Sequence, residues 1–284
     1  MNEKKLLELK KYIEELLMDG ICIAFSGGVD SSLITQIACD LREKANAKVI
    51  AVTFETSLHP LSDLEISRRV AREMGAEHHI LPFNEFEDER IRMNPVDRCY
   101  HCKRGLFSNL IDFAKERGCR WVLDGTNADD LKEYRPGLRA IRELQVISPL
   151  AELGISKKEV REMAEHLGLS VAKRPSAPCL ATRLPYGTEL DPELLKKIEE
   201  GEEMIRRMGI SVIRLRVHGD ITRLETLPGD FDTLLQNREE ILGKLKGLGF
   251  EYITLDLEGF RSGSMDLHLQ TGECEMDDMR RMDQ

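Results

Sequence analysis

The chain has 284 residues, enough for one large domain or two modest ones. Hydrophobic residues make up 41% of the chain and charged residues 32%, a composition typical of a globular protein. Its net charge of -10 disfavours the long-range basic field that gathers tRNA or DNA, and no stretch reaches the roughly 18 uninterrupted apolar residues of a membrane span. The N-terminal stretch has an amphipathic helical pattern instead of an apolar export signal. The seven cysteines are irregularly spaced, which favours metal or sulfur chemistry over a disulfide framework. Since disulfide frameworks are typical of secreted proteins and the N-terminus has no export signal, we expect a cytoplasmic protein.

Four short apolar runs alternate with helical patterns in the first part of the chain. They are ICIAF from Ile21, KVIAVTF from Lys48, HHIL from His78 and WVLDG from Trp121. This alternation predicts an α/β domain with a parallel sheet covered by helices on both faces. A glutamate three residues after Ser62 and another three after Ser156 predict two capped helix starts.

A proline-rich segment without helical or strand periodicity, PSAPCLATRLPYG, begins at Pro175. Asp191 and Pro192 follow it and fit the N-cap and the first turn of a new helix. Beyond them, alternating and helical patterns predict a smaller C-terminal α+β domain with its own sheet. The expected organisation is a first domain over 1–180, a second over 181–270 and a flexible tail over 271–284.

The sequence SGGVDSS lies between the first predicted strand and an apolar helix. Glycines at such a turn let the backbone close around an anion, and the exposed N–H groups and the helix dipole favour phosphate. The lysine of a Walker A loop is absent, so serine hydroxyls would have to supply contacts. The residues that we expect at this phosphate site are Ser26, Gly27, Gly28, Asp30, Ser31 and Ser32.

SGGVDSS resembles the pyrophosphate-binding loop of the PP-loop ATP pyrophosphatases, which have an adenine nucleotide alpha hydrolase-like fold. The resemblance implies that ATP is cleaved between its α and β phosphates and that AMP is placed on a substrate oxygen. It implies a role for Asp30 in binding Mg²⁺ or polarising the site, and an adenine site on the strand that contains Thr53. LDGTNADD, at the end of the fourth predicted strand, adds Gly125 and Asp129 as nucleotide-site candidates. Asp129 and Asp130 could instead be solvated loop acids.

Four longer strings, TFETSLHP, DGTNADDLKEYRPGLRA, SAPCLATRLPYGT and RLRVHGDITRLE, resemble LarE, a family of sulfur transferases that build a nickel-pincer nucleotide. The resemblance implies that a carboxylate of a pyridinium dicarboxylate mononucleotide is adenylated and then converted to a thiocarboxylate. Sulfur would pass through Cys179, and Arg183 nearby could lower a thiol pKa or stabilise the acyl phosphate charge. LarE relatives form hexamers, which implies a homo-oligomer.

The segment CYHC places Cys99 and Cys102 three positions apart. Together with Cys179 they resemble the three thiolates of cluster-containing LarE members, in which a 4Fe–4S cluster keeps one iron open for a sulfide taken from a sulfur donor. Single-cysteine members instead give up the sulfur of their own cysteine and end as dehydroalanine. A zinc site completed by a histidine is an alternative, and so is a dithiol redox pair.

In the predicted strand VIRLRVH of the second domain, Arg214 and Arg216 share one face. Guanidinium groups suit phosphate, and the LarE resemblance assigns these arginines to the mononucleotide phosphate. The alternative is a solvated sheet face. The resemblance also assigns Glu203 to the substrate site, although the adjacent Glu202 makes this register-dependent. Competing functions are tRNA thiolation, disfavoured by the acidic charge, and an ATP- or metal-binding module without turnover.

Overall fold

The computed structural model describes residues 2–45, 47–132, 135–175 and 178–261, so the tail expected over 271–284 lies outside the described residues. The chain divides into two compact units, Met1–Pro178 and a second that starts at Cys179. Within the described ranges, no helix combines the length and the apolar character needed to cross a membrane.

The first unit is built on a four-stranded parallel sheet, which confirms the predicted α/β fold. Its strands are β1 (Ile21–Ala24), β2 (Val49–Glu55), β3 (Glu77–Pro82) and β4 (Trp121–Leu123). The strand order is β3-β2-β1-β4, with every neighbouring pair parallel. Because parallel strands all point the same way, their carboxyl ends lie along one edge, where open α/β sheets bind ligands.

Helices cover both faces of this sheet. They are α1 (Glu3–Leu17), α2 (Val29–Ala45), α3 (Leu61–Glu73), α4 (Glu89–Arg92), α5 (Arg98–Glu116), α6 (Gly137–Glu143), α7 (Pro149–Glu152) and α8 (Lys157–His166). Ile21 and Ile23 of β1 pack into a core with α1, α2 and α8, whereas Cys22 between them packs with α5 on the other face. This alternation is the period of two that a strand imposes on its side chains.

One of the two predicted capped helix starts is confirmed and the other is wrong. Ser156 and Glu159 form a reciprocal capping box at the start of α8. In contrast, α3 begins one residue before Ser62, and its N-cap is Pro60, which makes no side-chain cap hydrogen bond. Proline provides a backbone conformation suited to entering a helix, so the chain turns into α3 before the serine can act as a cap.

The second unit has the expected α+β composition. Its elements are α9 (Pro192–Arg207), β5 (Ile213–His218), β6 (Ile221–Thr226), α10 (Phe231–Gln236), α11 (Arg238–Gly247) and β7 (Tyr252–Leu255). The sheet order is β5-β6-β7, with β5 antiparallel and β7 parallel to β6. Asp191 accepts a hydrogen bond from the Glu193 N–H at 3.0 Å and Pro192 occupies the first turn of α9, as expected. A Cβ on Gly201 would lie 2.7 Å from Leu215 Cδ2, so this glycine lets α9 approach the sheet closely.

Candidate active site

The glycine loop connects the carboxyl end of β1 to the first turn of α2, as the sequence predicts. Gly27 has a φ of +66°, a left-handed conformation that favours glycine, and a Cβ there would lie 2.8 Å from Ser67 Cα on α3. The Ser31 hydroxyl lies 3.2 Å from that of Ser26 and 3.3 Å from the carbonyl oxygen of Gly28, its acceptor. These contacts hold the loop open at the N-terminus of a 17-residue helix, where backbone N–H groups favour an anion.

Ser32 has an unsatisfied hydroxyl in this loop. The residue is fully buried, and its Oγ has no hydrogen-bond partner in the described structure. A buried polar atom without a partner costs free energy, so such atoms are uncommon unless a ligand or an ion completes them. The donor set of the loop therefore fits the phosphates of a nucleotide.

A lysine that the sequence reasoning missed lies beside the loop. The ammonium group of Lys157, the first residue of α8, forms an ion pair with Asp30 in the first turn of α2. The Asn127 side-chain amide donates to the other oxygen of Asp30 at 3.2 Å. A positive charge in the first turn of a helix opposes the helix dipole, and this anomaly was the available sequence signal for Lys157. The site thus has a cation although the loop itself lacks one.

Asp129 and Gly125 support this edge of the sheet through the backbone. The Asp129 carboxylate accepts from the Lys157 N–H at 2.9 Å and from the Lys132 ammonium at 2.8 Å, and these hydrogen bonds lower its pKa. A Cβ on Gly125 would lie 2.9 Å from the Ser31 N atom, so only glycine lets β4 end this close to α2. Their roles next to a bound nucleotide stay predictions.

Thr53 joins β2 to β1 through its side chain. Its hydroxyl donates to the Phe25 carbonyl oxygen at 2.5 Å and lies 2.8 Å from Nε2 of His78. Because that hydroxyl proton is used, the oxygen accepts from the ring, which is neutral; burial lowers the pKa of His78 to about 4. Thr53 therefore positions the backbone that precedes the loop.

A cavity of about 200 Å³ opens next to the loop. Its apolar lining includes Phe25, Val52, Phe54, Leu64 and Phe107, and Ser26 of the loop forms part of the same wall. Flat apolar walls beside a phosphate loop fit a purine base.

Arg174, a second basic residue that the sequence reasoning missed, contacts the backbone of the phosphate loop. Arg174 donates to the Gly27 carbonyl oxygen at 3.2 Å and to Asp63 on α3 at 2.5 Å. Arg161 donates in turn to the Arg174 carbonyl oxygen at 2.9 Å. An isolated arginine in an aperiodic segment gives no pattern from which this role could have been predicted.

Cys99 and Cys102 lie in the first turns of α5 and are half-buried, like Cys179 at the start of the second unit. A spacing of three residues places the first two on one face of the helix. Tyr100 between them donates to Glu143 at 2.7 Å and stacks under Arg139, which fixes this turn against α6. Within the described ranges, no group of three or more histidine, cysteine or acidic side chains is arranged to bind a metal ion, so the cluster stays a prediction.

In the second unit, several hydrogen bonds hold the guanidinium group of Arg183. It pairs in two places with Glu202, at 2.8 and 2.9 Å, and donates to the Cys179 carbonyl oxygen at 3.1 Å. Burial alone would raise the pKa of Glu202, but the hydrogen bonds and the charge of Arg183 outweigh it and lower that pKa. The hydrogen bond to the carbonyl oxygen fixes the backbone at Cys179, and the catalytic role of Arg183 stays a prediction.

Arg214 and Arg216 of β5 are buried rather than solvated. Arg216 pairs with the buried Glu225 at 3.1 Å, whereas Nε of Arg214 is buried without a hydrogen-bond partner in the described structure. Burial and the neighbouring charge of Arg183 lower the pKa of Arg214 to about 10, which leaves it protonated at neutral pH. A buried cation with an unused donor fits an anionic ligand.

Glu202, and not Glu203, is the glutamate of this arginine cluster. Glu202 is fully buried between Arg183 and Arg206, while Glu203 is partly exposed and contacts Arg206 at 3.2 Å and Arg207 at 3.3 Å. The helix turn of 100° per residue separates the two side chains. The predicted contact of Glu203 with a substrate remains a prediction.

Comparison with known proteins identifies the family. The asparagine synthase family model matches residues 19–132. The chain is 34% identical over 246 residues to the pyridinium-3,5-bisthiocarboxylic acid mononucleotide synthase of Lactiplantibacillus plantarum, covering 87% of this chain and 88% of that protein. The chain belongs to the LarE family. This LarE-family protein is an ATP-dependent, sulfur-transferring enzyme.

Two further relatives of this LarE-family chain match it over different lengths. The uncharacterized protein slr1717 of Synechocystis sp. is 38% identical over 268 residues, which cover 94% of this chain and 98% of that protein. The tRNA-specific 2-thiouridylase MnmA of Clostridioides difficile is 27% identical over 222 residues, 64% of this chain and 60% of its own length. The match to the thiouridylase is thus weaker and shorter than the match to the mononucleotide synthase.

Proposed function

We propose that this enzyme uses ATP to activate a carboxylate of a pyridinium dicarboxylate mononucleotide and converts it to a thiocarboxylate. A carboxylate oxygen attacks the α phosphorus and pyrophosphate leaves, after which a sulfur nucleophile displaces AMP from the acyl carbon. The observation that carries the proposal is the buried Nε of Arg214, which has no hydrogen-bond partner over the described ranges, in a chain 34% identical to the mononucleotide synthase. An anionic substrate would supply the acceptor that this donor lacks.

The first unit supplies the ATP half of the reaction. Loop N–H groups and the Ser32 hydroxyl would bind phosphate oxygens, and Lys157, which pairs with Asp30 beside the loop, would supply a positive charge. Released from that pair, the Asp30 carboxylate is a ligand of the type that Mg²⁺ prefers. Magnesium would neutralise phosphate charge and favour departure of pyrophosphate.

The second unit supplies the substrate half. Five guanidinium groups lie around the buried carboxylates of Glu202 and Glu225; they are those of Arg183, Arg206, Arg214, Arg216 and Arg223. Of these five, Arg214 forms no ion pair with another described residue. The phosphate of the mononucleotide would bind Arg214 first, because this arginine has the unused donor, and Arg216 would contribute charge from the same strand face.

Pyrophosphate release tests this proposal. It should require both ATP and the carboxylate mononucleotide, and mass spectrometry should find oxygen replaced by sulfur in the product. Arg214→Ala should raise the Kd for the mononucleotide about 5- to 150-fold, the equivalent of 1–3 kcal/mol, without changing ATP binding. Arg207→Ala, which removes an exposed arginine of α9, is the control. Equal loss of both ligands in the Arg214 variant would contradict the assignment.

Cys99, Cys102 and Cys179 bind a 4Fe–4S cluster in this proposal. Support comes from the sequence pattern and from the shared helix face of the first two thiols. Such a cluster supplies a site for a transferable sulfide when bound. Replacing any one cysteine should lower the iron content of anaerobically purified protein and stop sulfur transfer while pyrophosphate release persists. Stoichiometric zinc without iron, or dehydroalanine at position 179 after turnover, would overturn the cluster.

Thiolation of tRNA is the second candidate, because of the similarity to MnmA. The net charge of -10 opposes it. Retention of tRNA at physiological salt, with pyrophosphate release that depends on tRNA, would favour this candidate over the mononucleotide. The LarE relationship also supports a homo-oligomer, which light scattering of the purified protein would test.

A further inference from the structure

A histidine at the end of β5 has a buried ring nitrogen that the proposed reaction does not use. Nε2 of His218 is buried without a hydrogen-bond partner among the described residues, although the residue as a whole is partly exposed. Such an atom costs free energy in the ligand-free protein, as the Ser32 hydroxyl does in the first unit. The ring therefore fits a ligand that supplies the missing partner.

The pairing of β5 with β6 places His218 on the face of the sheet that carries the arginines. Alternate residues of a strand share a face, so His218 lies on the same side as Arg214 and Arg216. Residues opposite each other also share a face, and Arg216 is opposite Arg223, the diagonal neighbour of His218. Burial, and after it the charges of Arg223 and Arg216, lower the pKa of His218, so the ring is neutral at neutral pH.

The arginines of this face outnumber the carboxylates that they contact. Nε of Arg216 donates to one oxygen of the buried Glu225 at 3.1 Å, and Nη2 of Arg223 donates to the other oxygen at 2.9 Å. Two opposite guanidinium groups thus share one carboxylate. Nε of Arg223 lies 3.4 Å from Asp256, which is within ion-pair distance but lacks the alignment of a hydrogen bond. With Arg214, three guanidinium groups lie on this face beside two carboxylates, so an anion is favoured.

We propose that His218 and Arg223 bind the ring carboxylate of the substrate that is not being activated, and so select a dicarboxylate over a monocarboxylate. The inference rests on the proposed function, in which Arg214 binds the phosphate of the mononucleotide. Four residues of extended strand separate Arg214 from His218, about 13 Å between their Cα atoms. A ribose and an aromatic ring separate the phosphate of the substrate from its carboxylates, so one molecule can engage both ends of the face.

The two side chains offer one donor each to the two oxygens of a carboxylate. A neutral imidazole has a single N–H that can lie on either ring nitrogen, so an anionic oxygen beside Nε2 selects the tautomer that donates to it. Nε of Arg223 supplies the second donor, because it makes no hydrogen bond within the part of the chain that the structure describes. A ring with hydrogen in place of this carboxylate would leave both donors without an acceptor.

Calorimetry with the pyridinium 3,5-dicarboxylate mononucleotide and with the 3-carboxylate mononucleotide tests this inference, since the two differ by one carboxylate. The wild-type protein should bind the dicarboxylate more tightly by on the order of 10- to 100-fold, the effect of hydrogen bonds to a charged group. His218→Phe should lower this ratio of Kd values about tenfold by weakening the dicarboxylate alone. His218→Gln keeps an N–H donor and should retain most of the ratio. His166→Phe, at an exposed position of α8, is the control.

Two arginine variants separate this end of the face from the phosphate end. Arg223→Met should lower the same ratio, and Glu225 keeps Arg216 as a counter-charge in that variant. Arg214→Ala should instead weaken both mononucleotides by the same factor, because both carry the phosphate. A purely structural role of His218 or Arg223 would likewise weaken both ligands equally and leave the ratio unchanged.

Urea unfolding of the same samples gives a further check. His218→Phe should be no less stable than the wild type, because it removes a buried polar atom that has no partner over the described ranges. An unchanged ratio in both His218→Phe and Arg223→Met would overturn the inference, and so would equal binding of the two mononucleotides by the wild type; either result leaves the proposed function intact. A wild-type protein that binds neither mononucleotide would refute the proposed function, and with it the role of His218.

Discussion

The two adjacent glycines of the phosphate loop should respond differently to the same small substitution. Gly27 has a φ of +66°, and a Cβ at that position would lie 2.8 Å from Ser67 Cα and 3.0 Å from Ser67 N, both backbone atoms of α3. A Cβ on Gly28 would meet only the Ser26 hydroxyl oxygen, at 3.3 Å. A hydroxyl can rotate away, whereas the backbone of a packed helix cannot.

The magnitudes follow from these distances. At Gly27, alanine would incur about 1–2 kcal/mol for the left-handed backbone and about 1–3 kcal/mol for the overlap with α3. Gly27→Ala should therefore lower the free energy of unfolding by roughly 2–5 kcal/mol, a large part of a typical domain's stability. Gly28→Ala should change it by less than about 1 kcal/mol, because there is neither a positive φ nor a backbone overlap.

Urea unfolding followed by circular dichroism, with calorimetric titration of ATP on the same samples, separates the two effects. Gly27→Ala should unfold at clearly lower urea and bind ATP weakly. Gly28→Ala should keep its unfolding midpoint and show a change in ATP affinity alone, since it places a methyl group at the mouth of the anion site. If Gly27→Ala were as stable as Gly28→Ala, the close approach of the loop to α3 would be refuted.

Three further substitutions test other parts of the structure. Glu202→Gln leaves buried arginines without a counter-charge and should cost about 3–5 kcal/mol in thermal or urea unfolding, whereas Glu203→Gln should change stability by less than about 1 kcal/mol. Burial lowers the pKa of His78 from 6.5 in the unfolded chain to about 4 in the folded protein, so the unfolded state binds more protons between pH 4 and pH 6.5. The melting temperature should therefore fall as the pH drops from 6.5 towards 4. This fall should be less steep in His78→Phe. Lys157→Met should weaken ATP binding on the order of 10- to 100-fold in calorimetry by removing a charge-assisted contact, and Lys158→Met should not; equal effects of both would contradict the position of Lys157.

The fold of the first unit was predictable because its strands and helices follow simple periods. The apolar runs that begin at Ile21 and Val49 are buried on both faces of the sheet. Because central parallel strands have such continuous apolar runs, the strands could be predicted before their pairing was known. The glycine loop was predictable for a related reason, since the hydrogen bonds that Ser31 makes with Ser26 and Gly28 lie within five residues along the chain. The helix start at Leu61 was missed because a proline changed the local backbone before the serine pattern could apply.

The supporting residues of the site could not be predicted because their contacts are distant in sequence. Asp30 and Lys157 lie 127 positions apart in the sequence, and Gly27 and Arg174 lie 147 positions apart. No periodicity connects such pairs; only the topology of the sheet brings them together. The sequence could not show which of the two neighbouring glutamates on α9 is buried, because a helix turns by 100° per residue and both positions carry the same side chain.

An acidic protein that binds anions must concentrate its positive charge where the ligand binds. The net charge of -10 repels phosphate at long range, so affinity has to come from desolvated donors at short range, where Coulomb interactions are stronger. Each unit meets this requirement with a buried donor that has no partner among the described residues, the Ser32 hydroxyl in the first and Nε of Arg214 in the second. Each of these atoms destabilises the ligand-free fold, and binding of an anion removes that cost, so ligand affinity and folding stability are linked at both positions. The same logic explains why Arg214 is the sharper probe of substrate binding. Removing Arg216 would leave the buried Glu225 without one of its counter-charges, whereas removing Arg214 breaks no ion pair within the part of the chain that the structure describes.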